Sequence, residues 1–190
     1  MAWEILVCCG GFIFVLAAVA AFYLFTIYNG LIELRNNIGR AWANIDVLLK
    51  QRSDLIPNLV ETVKGYMKHE KQTLLEITKL RAQLLSADTP GKKAAASDAI
   101  SASLKSIFAV SENYPKLMAS EHFLELQKQL AAIENQIADR REFYNNSVLL
   151  YNTRIKVMPD TIIASTFGFS EKEYFKAEES EKAAVQVKLE

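Results

Sequence analysis

The stretch RSDLIPNLVETVKGY, from Arg52 to Tyr66, decides how this chain folds. Ile56, Val60 and Val63 fall at helical spacing, yet Pro57 stands among them. Proline lacks a backbone donor and crowds the preceding turn, so a helix interior is its least favourable place. Two readings are open. If Asp54 is an N-cap, Pro57 occupies the third helical position, where its missing N–H costs no intrahelical bond, and a second helix starts here. The strain then falls on Ile56, which a following proline pushes away from helical dihedrals. In the competing reading the helix continues through a proline kink. No glycine lies between Arg40 and Gly65 to make an easy turn, which favours that alternative.

Upstream, the chain carries no charge between Glu4 and Glu33. The run Ile5–Tyr28, ILVCCGGFIFVLAAVAAFYLFTIY, is long enough to cross about 30 Å of hydrocarbon at roughly 1.5 Å per residue. A cleaved signal peptide would have a basic start and a shorter apolar core, whereas this chain begins MAWE, so a retained anchor is expected. Cys8 and Cys9 precede most of the apolar run, which does not match a lipoprotein box. Arg35, Arg40, Lys50 and Arg52 follow the span and nothing basic precedes it, which places the C-terminal bulk in the cytoplasm. Ala17 and Ala21, with Gly10 and Gly11 earlier, are small residues of the kind that allow close helix approach within a membrane, or that are simply common in such spans.

Between the span and the Pro57 stretch, Ile27, Leu31, Leu34, Ile38, Trp42, Ile45 and Leu49 recur by threes and fours, so the anchor is expected to run unbroken into a first soluble helix. A second series is Ile56, Val60, Val63, Met67, Leu74, Ile77 and Leu84, with Glu70 and Arg81 at the remaining seam positions. Ala87-Asp88-Thr89-Pro90-Gly91 breaks it. A third helix, over Lys92–Glu112, offers Ile100, Leu104, Ile107, Phe108 and Val110 before Asn113-Tyr114-Pro115 stops it. The fourth, Ser120–Pro159, carries Phe123, Leu126, Leu130, Ile133, Ile137, Tyr144, Val148, Tyr151, Ile155 and Met158, interrupted only by Arg140.

The expected fold is therefore all-α: a transmembrane helix over 5–28 after a short N-terminus at 1–4, then an antiparallel, elongated four-helix bundle over 29–175. A short helix over Asp160–Phe167, closed by Gly168, should follow the fourth. Ser170-x-x-Glu173 has the form of a capping box, and Tyr174 and Phe175 should tuck against the bundle. Residues 176–190 read as a flexible charged tail, in which the alternation of Val185, Val187 and Leu189 is too short to argue a strand.

The 22 basic residues balance the 22 acidic ones, which leaves no electrostatic footprint for nucleic acid. His69 and His122 are the only histidines; neither lies in H-E-x-x-H, and neither follows a glutamate by three residues as a di-iron bundle requires. With both cysteines inside the span, no thiolate is available elsewhere, and no glycine-rich phosphate loop occurs. No catalytic residue, metal or cofactor is expected. Polar residues on or near the apolar stripes are Asn29, Asp46, Arg52, Asp54, Asn58, Glu61, His69, Glu112, Asn113, Arg140, Arg141, Asn145 and Asn152. Buried groups of this kind must be paired, and they fix helix register. Tyr144-Asn145 and Tyr151-Asn152 stand seven apart on one helical face, echoed by Tyr28-Asn29, and read as hydrogen-bonding layers between helices.

Tyr28-Asn29, Ala41-Trp42, IDVLLKQRSDLIPNLVETVKGYMKHE, FAVSENYPKL, LQKQLAAIENQIADRREFYN, YNTRI, Gly168-Phe169 and Tyr174-Phe175 together resemble the LemA family of single-span bacterial membrane proteins. The resemblance covers nearly everything from Tyr28 to Phe175 and implies one anchor with a helical bundle. It carries no established catalytic residues, and it implies membrane-associated roles such as magnetosome membrane formation or membrane stress and proteolysis. A non-enzymatic scaffold is the expectation, with the lipid bilayer, further copies of the chain and a membrane protein as partners. The alternative is a lipid- or small-ligand-binding sensor at the membrane surface.

Overall fold

In the computed structural model the first helix, α1, runs from Ala2 to Lys64 without interruption, and Pro57 lies inside it. Of the two readings of Pro57, the continuous helix is the one adopted; no second helix begins at Asp54. The structure describes residues 2–67 and 70–176. After α1 come α2 (Lys71–Ser86), α3 (Pro90–Ser111), α4 (Pro115–Met118), α5 (Glu121–Arg154) and α6 (Asp160–Thr166). No strand occurs among the described residues.

A proline in a helix leaves the carbonyl four residues earlier without its donor. Here that carbonyl belongs to Ser53, and Arg81 of α2 supplies the replacement: its Nε donates to Ser53 O at 2.8 Å. The bond lost within α1 becomes a bond between helices. Ile56, Leu59 and Val63 on either side of the proline are all buried, so the turn is also held by packing. The break comes instead at Gly65-Tyr66, where the N–H groups of Tyr66 and Met67 both donate to Val63 O at 2.9 Å.

Short connections set the other helices. Thr89 caps α3 by accepting from the Lys92 N–H at 3.3 Å, and Pro90 takes the first helical position, where a missing donor costs nothing. Pro115 likewise opens α4. Ser120 caps α5, its hydroxyl accepting from the Phe123 N–H at 3.4 Å.

The chain divides into two units, Met1–Gly39 with Ser147–Lys172, and Arg40–Asn146 with Glu173–Glu190. Within the second, paired residues give the register. Ser53 with Arg81 sets α1 against an antiparallel α2. Asp98 with Arg141, Ser101 with Glu134 and Phe108 with Phe123 set α3 against an antiparallel α5. Asp46 with Lys93 and Arg52 with Ser97 set α1 and α3 running the same way. This is an up-down-up-down four-helix arrangement, and its core includes Ile45, Ile56, Leu59, Ile77, Ile100, Ile107, Phe123 and Leu130.

In the first unit, residues 10–26 of α1 are exposed and coverage begins at Ile27, with Leu31 and Ile38 buried behind it. The 10–26 stretch lies in the part of α1 long and apolar enough to cross a membrane. The other buried side chains of this unit include Val148 and Tyr151 from the end of α5, Ile155 just beyond it, and Ile163 and Ala164 from α6. Gly168 closes α6 with φ +69°, a left-handed conformation that glycine alone adopts without cost.

The sequence expectations need three adjustments. The third helix spans Pro90–Ser111 and not Lys92–Glu112. The fourth ends at Arg154, five residues before Pro159, and Met158 is 71% exposed; turns replace the last part of the expected stripe. Ser170-x-x-Glu173 forms no capping box, because the Glu173 carboxylate accepts from the Gly91 N–H at 3.0 Å instead. The tail from residue 177 and His69 lie outside the described residues.

Arg81→Met should cost about 1–3 kcal/mol, the desolvation of an orphaned carbonyl. Pro57→Ala restores the donor inside α1, so in a double-mutant cycle followed by denaturant unfolding the Arg81→Met penalty should shrink when residue 57 is alanine.

Candidate functional site

Among the described residues Arg52 is the largest side chain to be fully enclosed, with 0% exposure. A guanidinium in such a place must have its donors answered. Nη1 donates to Ser101 Oγ at 2.9 Å and to Glu134 Oε2 at 2.5 Å; Nη2 donates to Ser97 Oγ at 2.5 Å and Ser97 O at 3.1 Å. The Ser101 hydroxyl reaches Glu134 Oε1 at 2.8 Å and Ser97 O at 3.0 Å, and its one proton serves one of them at a time. Arg52 Nε has no partner among the described residues. Burial lowers the pKa of Arg52, and the Glu134 carboxylate opposes that shift. An arginine starts so high that the side chain stays charged.

Small residues make this possible. Ser97 and Ser101 are one turn apart on the Ala- and Ser-rich α3, and bulkier side chains there would fill the space the guanidinium takes. The Glu134 side chain is 42% exposed, so the pair meets water on one side and Arg52 alone bears the full desolvation.

The same unit holds the end of the described chain. Asn145 grips Phe175 reciprocally: its Oδ1 accepts from the Phe175 N–H at 2.8 Å and its Nδ2 donates to Phe175 O at 3.3 Å. An amide side chain here does what a strand partner would. Arg141 Nε adds a bond to Phe175 O at 3.0 Å, and the Tyr144 hydroxyl donates to Glu173 O at 2.8 Å. The Phe175 ring is fully buried, 6.0 Å from the Trp42 ring, with the Arg141 guanidinium 5.2 Å from its centroid. Trp42 also meets Tyr144 at 5.6 Å and receives Lys93 Nζ at 5.5 Å over its face. Arg141 is itself fixed by Asp98, at 2.7 and 3.3 Å. A Cβ at Gly91 would stand 2.5 Å from Glu173 Oε1, so any larger residue there would displace that carboxylate.

In the first unit Asn152 repeats the grip on Lys172, accepting from its N–H and donating to its carbonyl, both at 2.8 Å. Arg154 Nε donates to Asp160 Oδ2 at 2.5 Å, and the Arg154 guanidinium lies against Gly30, where a Cβ would stand 3.3 Å from Nη2. Tyr28 packs on Phe167 at 4.8 Å and Phe169 at 5.8 Å, and Arg35 stands 5.6 Å from the Phe169 centroid. Burial raises the pKa of Tyr151, with Arg35 opposing.

Tyr144, Asn145 and Asn152 therefore act on the backbone of a C-terminal segment, while Tyr151 is buried in the core, which corrects the reading of the two Tyr-Asn pairs as layers between helices. Of the other polar residues singled out, Arg52, Asp46 and Arg141 join helices as expected. Asn29, Asp54, Asn58, Glu61, Glu112, Asn113 and Arg140 are exposed. Ser97, Ser101 and Glu134 escaped the sequence reading because none carries a signal alone; the repeat of serine at four residues on one helix was the available hint. Among the described residues no group of three or more His, Cys, Asp or Glu is placed to hold a metal ion.

Comparison with known proteins adds the following. The LemA family model matches residues 41–189. Protein LemA of Metamycoplasma hominis is 25% identical over 179 residues, covering 91% of this chain and 80% of that protein. Magnetosome protein MamQ 2 of Paramagnetospirillum magneticum is 25% identical over 174 residues, and Magnetosome protein MamQ of Magnetospirillum gryphiswaldense 23% over 174. Each of these two alignments covers 78% of this chain and 64% of the relative, so the chain spans less than two thirds of their length.

Two outcomes test the grip. Asn145→Ala should cost about 1–3 kcal/mol and release Phe175, seen as a shift in Trp42 emission in a Trp3→Phe background. Burial, reinforced by the Glu173 carboxylate, pushes the Tyr144 pKa from 10.0 up to about 12. The fold favours the neutral phenol, so this stabilisation is intact below pH 10 and is lost as pH rises through about 12. Denaturant melts at stepped alkaline pH should show that loss, and Tyr144→Phe should reduce it, leaving the smaller part that the buried Tyr151 contributes.

Proposed function

The chain belongs to the LemA family, and from that premise we propose that it is a membrane-anchored, non-enzymatic scaffold. Its span fixes the helical unit at the bilayer, and exposed faces of that unit or the 177–190 end recruit further copies of the chain or another membrane protein. One observation carries this: the enclosed Arg52 cluster joins helix to helix and Asn145 holds the C-terminal segment, while an apolar span continues into the same α1. The relatives named as magnetosome proteins support a membrane-associated role. The basic residues after the span favour a cytoplasmic C-terminal side.

A second reading rests on a groove of about 520 Å³ lined by Val60, Lys64, Met67, Lys71, Leu74 and Leu75. Its apolar floor and two lysines suit an amphiphilic anion, such as a fatty acid, in a sensing role.

Crosslinking in intact membranes, followed by affinity capture, separates these. A scaffold yields crosslinked multimers or a defined partner, reduced when residues 177–190 are deleted or an exposed face is changed. Capture of monomer alone, with a co-purifying lipid in native mass spectra that Leu74→Glu removes, would favour the sensor and contradict the scaffold.

A further inference from the structure

The segment around α6 exposes apolar side chains at a place where water is not the expected neighbour. Met158 is 71% exposed, Ile162 50% and Phe167 59%, with Val157 close behind. Opposite, Ile163 and Ala164 are buried, so α6 has a covered side and a bare one. Its height is fixed by two contacts: the Tyr28 ring lies 4.8 Å from Phe167 and 5.8 Å from Phe169. Tyr28 ends the apolar run, and every residue from Gly10 to Thr26 is exposed. Phe167 thus stands within about one helical turn, roughly 5 Å, of the last bare position of the span. The layer between hydrocarbon and water is itself roughly 5–7 Å deep on each side.

We propose that the bare side of this segment, Met158, Ile162 and Phe167, inserts into the interfacial layer of the bilayer that α1 crosses, as a second point of attachment. The exposed apolar surface of the span and that of α6 are then one continuous lipid-facing surface. The segment is also equipped for loss of water. Asp160, its only charge, is paired with Arg154 at 2.5 Å. The carbonyls at its C-terminal end are answered locally: Ile162 O accepts from the Ser165 and Thr166 hydroxyls, Ile163 O from the Phe167 N–H and Ala164 O from the Phe169 N–H. Backbone groups satisfied in this way can approach hydrocarbon without the penalty an open helix end would incur. Amphipathic segments bind membranes through such apolar area.

The inference rests on the span reading, and one experiment separates the two. Full-length chain carrying Cys8→Ala and Cys9→Ala is reconstituted in phosphatidylcholine vesicles with a nitroxide at I162C, at M158C, at V15C in the span or at K128C on the exposed side of α5. Collision with lipid-soluble oxygen is compared with collision with a water-soluble nickel chelate. The oxygen-to-nickel ratio at I162C and M158C should exceed that at K128C severalfold, approaching V15C. Ratios equal to K128C, with V15C still in lipid, would overturn the insertion and leave the anchor standing. A watery V15C would overturn both. Exclusion of both reagents, with spin broadening that vanishes on dilution by unlabelled chain, would show a second copy covering the face and would also overturn it.

Discussion

A carbonyl left without its donor organises the helices of the second unit. Proline at position 57 denies Ser53 O its usual partner, and Arg81 reaches across from α2 to supply one. One residue earlier, Arg52 is directed inward to Ser97, Ser101 and Glu134. A single turn of α1 is thus tied to α2 by its backbone and to α3 and α5 by its side chain. Apolar stripes tolerate sliding by a turn, because one leucine replaces another. An enclosed guanidinium with four donor contacts does not, since a slip would leave a charge unpaired at a cost of several kcal/mol. Register follows from that intolerance.

The same logic governs the C-terminal segment. Residues 172–175 have no helix to join, so their backbone groups need other partners, and Asn145 and Asn152 provide them in each unit. An amide side chain offers a donor and an acceptor at once, which matches the peptide it holds. Phe175 then fills the space beside Trp42 and closes the core at that place. Polar side chains spent on joining helices and on holding the C-terminal segment are consistent with the scaffold proposed above.

Much of this was legible in the residues. Periodicity located the apolar span, the third and fourth helices and the Gly168 stop, because those follow from local spacing and from glycine's access to positive φ. The series from Ile56 to Leu84, read as one helix, is instead divided between α1 and α2 at Gly65-Tyr66. Pro57 was legible only as a choice between two readings, since its outcome depends on Arg81, twenty-four residues away, which appeared merely as a charge in an apolar stripe. The Tyr-Asn pairs announced a repeated role but not their partner, for an amide meets a helix or an extended segment equally well. Ser97, Ser101 and Glu134 were silent because Arg52 selects them in space. The capping box failed because Glu173 found the Gly91 N–H, a competitor no local window contains.

The continuity of α1 through Pro57 is the claim on which the placement of both arginines depends. Pulsed electron resonance between nitroxides at Asn44 and Glu61, both exposed, measures it directly. Seventeen residues of unbroken helix separate the two backbone positions by about 25 Å, before label length is allowed for. A narrow distribution centred near that distance is the result the structure predicts. A distribution collapsed to about 15 Å or less, as a chain reversal at Asp54 would give, would contradict it.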